Sequence, residues 1–358
     1  MPEVICSPSD LQAFARAVFE ALGADPEVAG VVADHLITAN LSGHDSHGVI
    51  RIPQYVGEAE RGTLVPAARP EVLSEHGGLA LIDAHRGFGH FAAAFAMDWC
   101  VARCRETGVA AAALRHSNHI GRLGEYAERA AAAGVVGVTT YGIVGSGSVV
   151  PFGARDRFMG TNPWSIGVPA DGEAFFFDGA TSALAEGKIR HARAKGTQLP
   201  AGAVVDAEGR PSTDPEALYA GGGMLPAGGE LAGHKGYGFG LAAALLGGLA
   251  MIDDPGPTTG GTTPPAEAGA PWLGGVLTLA IDPDSLGGGE AYRERVGEML
   301  RALRSRPPRE GVEAVLVAGD PERLMRARRL REGIPVPERT FADLQEIGAR
   351  YGVGLGLG

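Results

Sequence analysis

The chain has 358 residues and a formal net charge of −11, with 31 Lys and Arg against 42 Asp and Glu. Hydrophobic residues make up 45% and charged residues 20% of the sequence, so a sizeable buried core is predicted and wholesale disorder is not. The negative charge and the lack of a basic stripe argue against a nucleic-acid partner. We interpret the basic segments 301–309 and 323–331 as solvated helix faces.

The sequence contains no apolar run of 18 residues, so a membrane partner is not expected. The segment MPEVICSPSD lacks the basic and apolar stretches of a secretory signal. Three cysteines are an odd number, which fits a reducing compartment better than a disulfide framework. We therefore expect a cytoplasmic protein.

Two helices are predicted at the N-terminal end. Ser7 and Pro8 have the residue types of an N-cap and a first helical position, and Asp25 and Pro26 repeat that pattern. Gly43 is a candidate end of the second helix. The polar stretch LSGHDSHGVIR at 41–51 therefore begins where that helix stops.

From about residue 76 onwards, short apolar runs alternate with helical segments, which predicts an α/β layer structure. The predicted strands are LALIDAH, VAAAALRH, VVGVTTYGIV, FFFDGATS, GVLTLAID and GVEAVLVAG. The predicted helices are GHFAAAFAMDWCVARCRETG, IGRLGEYAERAAAAG and YRERVGEMLRALRSR, followed by a mostly helical tail. Residues 253–271 hold five prolines and four glycines and predict a long loop, either a lid or a passive insertion.

The segment LALIDAHRGFGHFA matches a loose dinucleotide-binding fingerprint through Gly87, Gly89 and Ala92. A true fingerprint also needs an acidic residue at the end of the next strand, where this chain has Arg115 and His116. We therefore interpret the match as a tight strand–helix turn.

The stretch 41–51 carries the first candidate site. If Asp45 and Ser46 cap a helix, then His47, Arg51 and Tyr55 follow at four-residue spacing on one face, although Pro53 would kink it. Histidine titrates near neutral pH and arginine can hold a carboxylate with two hydrogen bonds. The pair suits a 2-oxo or 2-hydroxy acid, but a capped helix start with exposed polar residues explains the same pattern.

Two further patterns could bear chemistry. The segment RHSNHIG follows a strand, so His119 could hydrogen-bond a substrate oxygen, with His116 more peripheral; a capping role for Ser117 or Asn118 is the alternative. The glycine-rich segments GIVGSGSVVPFG, FMGTNPWSIGVP, FFFDGATS and GHKGYGFG could be turns whose backbone N–H groups approach an anion. Lys235 in the last of them precedes a predicted helix, as a phosphate ligand often does.

Taken in order, these segments resemble the malate/L-lactate dehydrogenase type 2 family, which includes sulfolactate, ureidoglycolate and diketogulonate oxidoreductases. The matching pieces are SGHDSHGVIRIPQY, NHIGRLGEYAERAAAAGVVGV, PFGARDRFMGTNPWSIGVP, DGATSALAEGKI, PAGAVVDAEGRPSTDP and HKGYGFGL. They span nearly the whole chain. The turn YGIVGSGSVV and Gly179 depart from the usual pattern.

The resemblance implies an NAD- or NADP-dependent 2-hydroxyacid dehydrogenase or 2-oxoacid reductase that forms a homodimer. It implies a mixed-sheet nucleotide domain of non-Rossmann type, with a helical domain formed by the two ends of the chain. The expected divisions are a helical segment at 1–75 with substrate-site residues, an α/β nucleotide-binding domain at 76–284, and a C-terminal segment at 285–358 that packs with the N-terminal part.

The resemblance also implies site residues. His47, with His119 beside it as the other candidate, is expected to carry the proton, and Arg51 to hold the substrate carboxylate. The remaining expected contacts with substrate are Ser46, Tyr55 and Thr161. Asp178 is expected at the reacting centre and the cofactor, and the expected cofactor-binding set is His119, Thr161, Asp178, Gly179, Ala180, Thr181, Ser182, Lys235 and Gly236. No metal is expected.

Three alternatives remain open at this point. A cyclic imino acid reductase is a member of the same family. A metal-dependent hydrolase or lyase could use His44, Asp45, His47, His116 and His119, because imidazole and carboxylate suit zinc or iron. A nucleotide-binding or structural protein without catalytic activity is the third.

Overall fold

The computed structural model describes residues 3–252 and 273–356, so the predicted loop at 253–271 lies outside the described residues. The α-helices are α1 (Pro8–Ala21), α2 (Pro26–Leu41), α3 (Ile52–Glu60), α4 (Gly89–Thr107), α5 (Gly124–Ala132), α6 (Glu186–Lys195), α7 (Glu216–Tyr219), α8 (Gly229–Gly247), α9 (Gly289–Arg304), α10 (Asp320–Glu332) and α11 (Glu338–Tyr351). The strands are β1 (Glu3–Cys6), β2 (Glu71–His76), β3 (Leu79–Asp83), β4 (Val109–Arg115), β5 (Val136–Val149), β6 (Trp164–Val168), β7 (Phe175–Gly179), β8 (Val204–Val205), β9 (Pro211–Ser212), β10 (Gly223–Met224), β11 (Leu273–Ile281) and β12 (Ile334–Pro337).

The large sheet mixes parallel and antiparallel pairs, in the order β2-β3-β4-β11-β5-β10-β8-β9, with β6 joining β5 to β7. Strands β3 and β4 run parallel, whereas β11 is antiparallel to both of its neighbours. Alanines in α4 and β4 are buried together, and such small side chains let a helix approach a sheet closely. The predicted α/β class is confirmed.

A second core contains both ends of the chain. Strand β1 pairs with β12, and the apolar faces of α1, α2, α3 and α11 share one buried cluster. The helices α1 and α2 begin at Pro8 and Pro26 as predicted, because proline at the first helical position loses no hydrogen bond. This core forms the base on which residues 41–51 lie.

Several sequence predictions are wrong in detail. Residues 311–319 form no strand, and Leu316 is half exposed there rather than covered by a neighbouring strand. The glycine-rich segment after residue 141 is no turn, since β5 continues through it to Val149. Gly142 lies so close to the backbone of Ala244 in α8 that a Cβ would stand 2.3 Å from its nitrogen. Gly142 therefore allows α8 to pack closely on β5.

The turn with Gly87 and Gly89 joins β3 to α4 as predicted. A Cβ on Gly89 would stand 2.1 Å from the carbonyl oxygen of Asn118, and the side-chain amide of Asn118 donates to the carbonyl of Gly87. The open side of these glycines is therefore filled by the chain itself.

Candidate active site

Residues 45–51 form two short 3-10 turns, Asp45–His47 and Val49–Arg51, separated by Gly48 in an extended conformation. Pro53 lies in the first turn of α3, where a missing N–H costs little. The predicted single helix through His47, Arg51 and Tyr55 is therefore wrong. The irregular backbone still brings these side chains to one place.

Asn40, at the end of α2, supports the segment of residues 45–51, here called the 45–51 turn. Its side-chain oxygen accepts the backbone N–H of Val49 at 2.9 Å, and its side-chain nitrogen donates to Asp45 at 2.7 Å. Gly48 lies directly on the Asn40 amide, where a Cβ would stand 2.1 Å from the amide oxygen. Position 48 therefore requires glycine, because no other side chain fits beside Asn40.

Arg329 of α10 holds the same turn from the opposite end of the sequence. Its guanidinium donates to both carboxylate oxygens of Asp45, at 2.6 and 2.9 Å, and to the carbonyl oxygen of Asn40. Its side chain is only 8% exposed, so the interpretation of 323–331 as a solvated face is wrong at this residue. No sequence pattern distinguishes Arg329 from the neighbouring arginines of α10, Arg328 and Arg331, which are exposed.

His47 is half-buried, and its Nδ1 lies 3.0 Å from the hydroxyl of Ser46. Burial, followed by the positive charge of Arg51, lowers the pKa of His47 from 6.5 to about 3. The ring is therefore neutral near neutral pH in the free protein. A charged form requires an anion nearby.

The ring of His119 stacks on that of His47, with centroids 5.6 Å apart and planes 12° from parallel. Burial, and then the charge of Arg51, holds the pKa of His119 well below its ordinary value. Nδ1 of His119 lies 2.7 Å from the hydroxyl of Tyr55, and that hydroxyl lies 3.2 Å from Nε2 of His90. His90, in the first turn of α4, was not predicted as a site residue, because no local motif marks it.

Arg51 is oriented by two hydrogen bonds. Its Nε donates to the carbonyl oxygen of Ser46 at 2.6 Å, and Nη1 donates to Gln54 at 2.8 Å. Within the described residues, Nη2 has no partner. The guanidinium thus keeps donors available for a carboxylate.

Arg122 is almost fully buried, close enough to His47 for its charge to act on that ring. It hydrogen-bonds Glu128, lies 3.9 Å from Asp178, and adds to the charges that lower the pKa of His47. Its backbone N–H donates to Nε2 of His35 at 2.8 Å. The sequence placed this residue in a predicted helix, but α5 begins two residues later.

Asp178 lies at the end of β7 and directly precedes the predicted cofactor-binding residues 179–182. Its carboxylate accepts the backbone N–H of Gly124 at 2.8 Å, at the start of α5, where a negative charge is favourable. Gly179 packs on the ring of Phe177. The structure therefore places Asp178 next to Arg122, with one carboxylate oxygen bound to the backbone.

The GTNP segment and the segment after β7 lie against each other. The hydroxyl and the N–H of Thr181 donate to the carbonyl oxygen of Thr161, at 3.0 and 2.9 Å. The carbonyl oxygen of Thr181 accepts the N–H of Ala227, and Gly236 of α8 packs on the Ala227 backbone. Ala180 and Ser182 flank Thr181, so Thr161, 180–182 and Gly236 form one group.

Lys235 is exposed in α8 rather than before the helix as predicted. The helix is interrupted at Ala232, which has non-helical angles, so Lys235 lies in the first turn of its second part. Its ammonium group has no ion-pair partner among the residues that the structure describes. A free cation beside a helix start fits a phosphate group chemically.

The two groups of residues approach each other at α6. A Cβ on Gly187, in the first turn of α6, would stand 3.4 Å from Cβ of Ser46. The hydroxyl of Ser182 donates to the carbonyl of Leu184 just before that helix. Residues 182–187 therefore connect the 180–182 segment to the 45–51 turn.

The residues of the metal alternative do not converge. Asp45 is bound to Arg329, and His44 lies 3.3 Å from Glu322. His116 is bound to Asp83. Over residues 3–252 and 273–356, no group of three or more His, Cys, Asp and Glu side chains could hold a metal ion. The described geometry gives that alternative no support.

None of the helices in residues 3–252 and 273–356 has both the length and the apolar composition that a membrane span needs.

A family model for malate/L-lactate dehydrogenase matches residues 6–345.

Curated relatives agree with this match over nearly their whole length. Hydroxycarboxylate dehydrogenase B of Escherichia coli K12 is 35% identical, with 96% of this chain and 93% of the relative covered. The Δ1-pyrroline-2-carboxylate/Δ1-piperideine-2-carboxylate reductase of Pseudomonas syringae pv. tomato is 36% identical, with 93% of each covered.

The structure of sulfolactate dehydrogenase from Methanocaldococcus jannaschii superimposes with a TM-score of 0.87 at 31% identity, covering 98% of both chains. The resemblance seen in the sequence motifs is thus confirmed, and so is the prediction of an oxidoreductase. The chain belongs to the malate/L-lactate dehydrogenase family.

Proposed function

We propose that this protein transfers a hydride between a nicotinamide cofactor, NAD or NADP, and C2 of a small 2-oxo or 2-hydroxy acid. The observation that carries the proposal is the convergence of Arg51, His47 and His119, two stacked neutral imidazoles beside a guanidinium with free donors. Such a site combines a grip for a carboxylate with a proton carrier for the adjacent oxygen.

Arg51 binds the substrate carboxylate through the donors that Ser46 and Gln54 leave available. The bound carboxylate offsets the positive charge that is the second cause of the lowered pKa of His47. Substrate binding therefore raises this pKa and favours uptake of a proton by His47. In the reductive direction, His47 then donates that proton to the C2 oxygen while His119 donates a hydrogen bond to the same atom.

The residues present fit a nicotinamide dinucleotide by the chemistry of their donors. Lys235 and the start of the second part of α8 would hold phosphate, and Thr161, Ala180, Thr181, Ser182 and Gly236 would line the path towards Asp178 and Gly179. The bound cofactor would supply or accept the hydride. Asp178 would then stand beside the reacting centre, and Ser46 and Thr161 would contact the substrate. Tyr55, predicted as a further contact, would act through His119, to which its hydroxyl is hydrogen-bonded.

The proposal extends to the larger organisation. The mixed sheet, apart from its edge strand β2 at Glu71–His76, would form a nucleotide domain of non-Rossmann type within 76–284. The rest of 1–75, with 285–358, would form the helical part. We propose a homodimer, and we place the protein in the cytoplasm.

A panel assay tests the function. The near-ultraviolet absorbance of NADH and of NADPH is followed with pyruvate, oxaloacetate, sulfopyruvate and Δ1-piperideine-2-carboxylate, with and without a chelator. We expect oxidation of one reduced cofactor with a 2-oxo acid and no effect of the chelator. Turnover of the imine alone would favour the alternative suggested by the Pseudomonas syringae reductase. No turnover on the whole panel would contradict the proposal.

A further inference from the structure

Three side chains form a hydrogen-bonded row that leads away from the candidate active site. His119 Nδ1 and the Tyr55 hydroxyl are 2.7 Å apart, and the same hydroxyl and His90 Nε2 are 3.2 Å apart. Tyr55 is 1% exposed and His90 is 1% exposed, so water does not compete for these bonds. The question is which atom of each pair carries the hydrogen.

Each member of the row has a fixed number of hydrogens. Burial lowers the pKa of His90 and of His119 well below the ordinary value, so each ring is neutral and carries one hydrogen. Burial raises the pKa of Tyr55, so the phenol keeps its hydrogen. A single hydroxyl hydrogen cannot be donated to both histidines, hence Tyr55 donates to one ring and accepts from the other.

The far nitrogen of His90 decides between the two directions. Nδ1 of His90 is buried and has no hydrogen-bond partner among the described residues. A buried N–H without an acceptor is rarer in proteins than a buried acceptor without a donor. The hydrogen of His90 therefore lies on Nε2, which donates it to the oxygen of Tyr55.

We infer that His90 and Tyr55 are positioning residues that fix the ring tautomer of His119, so that its hydrogen lies on Nε2 and its Nδ1 accepts from Tyr55. The inference rests on the proposed function in assigning that Nε2–H a use. It makes His119 a neutral hydrogen-bond donor to the substrate oxygen and leaves proton transfer to His47. The row thus separates the roles of two stacked histidines that the sequence could not separate.

The direct test is nuclear magnetic resonance of the full chain with ¹⁵N-labelled histidine rings, recorded near neutral pH without substrate. Signals are assigned by their loss in His119→Gln and His90→Gln. We expect Nε2 of His119 to show the shift of a protonated ring nitrogen and Nδ1 that of an unprotonated one. The reverse pattern in the unsubstituted protein would overturn the inference.

Variants then test the row itself. Tyr55→Phe removes only the hydroxyl, and we expect a mixed tautomer of His119 with kcat lowered about tenfold, the effect of one hydrogen bond. His90→Gln keeps an N–H donor at similar reach and should retain the Nε2–H tautomer. His90→Leu cannot donate and should lose it. An unchanged His119 tautomer in both Tyr55→Phe and His90→Leu would overturn the positioning role.

These readouts distinguish the inference from the proposed function. The resonance experiment needs no substrate, so an inactive protein with the expected tautomer would contradict the proposed function alone. Full activity on a 2-oxo acid with the hydrogen on Nδ1 of His119 would contradict the inference alone. Circular dichroism and thermal unfolding of each variant show whether it is folded.

Discussion

His47 and Arg51 lie on either side of Gly48, and their substitution should affect different steps of the proposed reaction. His47→Ala removes the proton carrier and should lower kcat by roughly 10²–10⁴-fold, the usual effect of losing an acid/base group. Steady-state kinetics with the best 2-oxo acid measure this. His76→Ala, at an exposed position in β2, is the control and should retain full turnover. Near-normal turnover of His47→Ala would move the role to His119.

Arg51→Lys keeps the charge but removes the planar fork of donors. We expect KM for the acid to rise about tenfold or more, because a point charge replaces two directed hydrogen bonds. Arg16→Lys, in an exposed ion pair with Glu20 on α1, provides the matched control. Equal KM values for Arg51→Lys and the unsubstituted protein would argue against a carboxylate ligand at this residue.

The buried neutral histidines predict how stability depends on pH. Below pH 6.5, His47 binds a proton in the unfolded chain but stays neutral in the folded protein until about pH 3. The pKa values of His90 and His119 are also lowered, so their effect on stability has the same sign. Their contribution is complete above pH 6.5 and is lost as the pH falls towards 3. The slope is up to about 1.4 kcal/mol per pH unit and group.

Urea unfolding between pH 7.5 and 4.5 measures this effect, because carboxylates with a lowered pKa add to the same loss only at the acid end of that window. Glu58 has the opposite sign, since burial raises its pKa. We therefore expect a net loss of unfolding free energy on acidification, smaller in His47→Gln. Stability that stays constant from pH 7.5 to 4.5 would contradict the burial of neutral histidines.

At the scale of secondary structure, helix α10 supports the 45–51 turn through the hydrogen bonds of Arg329. Arg329→Leu should remove three hydrogen bonds and leave Asp45 without its cation, lowering the free energy of unfolding by about 2 kcal/mol, since Asp45 is partly screened by water. Arg331→Leu, exposed on the same helix, should leave it within about 0.5 kcal/mol. Denaturant titration measures the unfolding of both variants. Equal midpoints would show that the contacts of Arg329 with Asp45 and Asn40 contribute no stability.

The elements show how far sequence alone reaches. Proline at the first helical position, and apolar runs that follow glycine, were enough to predict α1, α2, β3, α4 and β4, because those signals are local. Glycines 142–147 misled the prediction, because glycine marks both open turns and close contacts between packed backbones. Only the structure distinguishes them.

The candidate site divides in the same way. His47, Arg51 and His119 belong to short motifs and could be found from the sequence. Arg329 and His90 could not be found, because each acts through a contact between distant segments. Asn40 contacts residues only five and nine positions away, but its role depends on the irregular backbone of residues 45–51, which the helical spacing did not predict. Arg329 is 284 positions from its partner Asp45, and no local pattern marks that distance.

At the scale of the whole molecule, the expected homodimer needs an apolar surface. Large apolar side chains are exposed along α8 and just beyond it, including Leu231 at 94% and Ile252 at 78% exposure. A second copy of the chain packed on this helix would cover them, since burial of large apolar side chains favours association.

Light scattering after size exclusion should therefore give twice the chain mass of 36.8 kDa. Leu245→Glu, on α8, should shift the protein towards the single-chain mass because it places a charge in the interface. Leu286→Glu, at an exposed site in a separate turn, should leave the mass unchanged. A single-chain mass for the unsubstituted protein would contradict the dimer.

The contact between Arg329 and Asp45 also bears on synthesis of the protein. The ribosome makes residues 45–51 early, whereas Arg329, which holds Asp45, is translated 284 positions later. Strand β12, which pairs with β1, is translated later still. Until then the turn that carries His47 lacks this support, so a nascent chain, or one cut before Arg329, is expected to fold much of its sheet while remaining inactive.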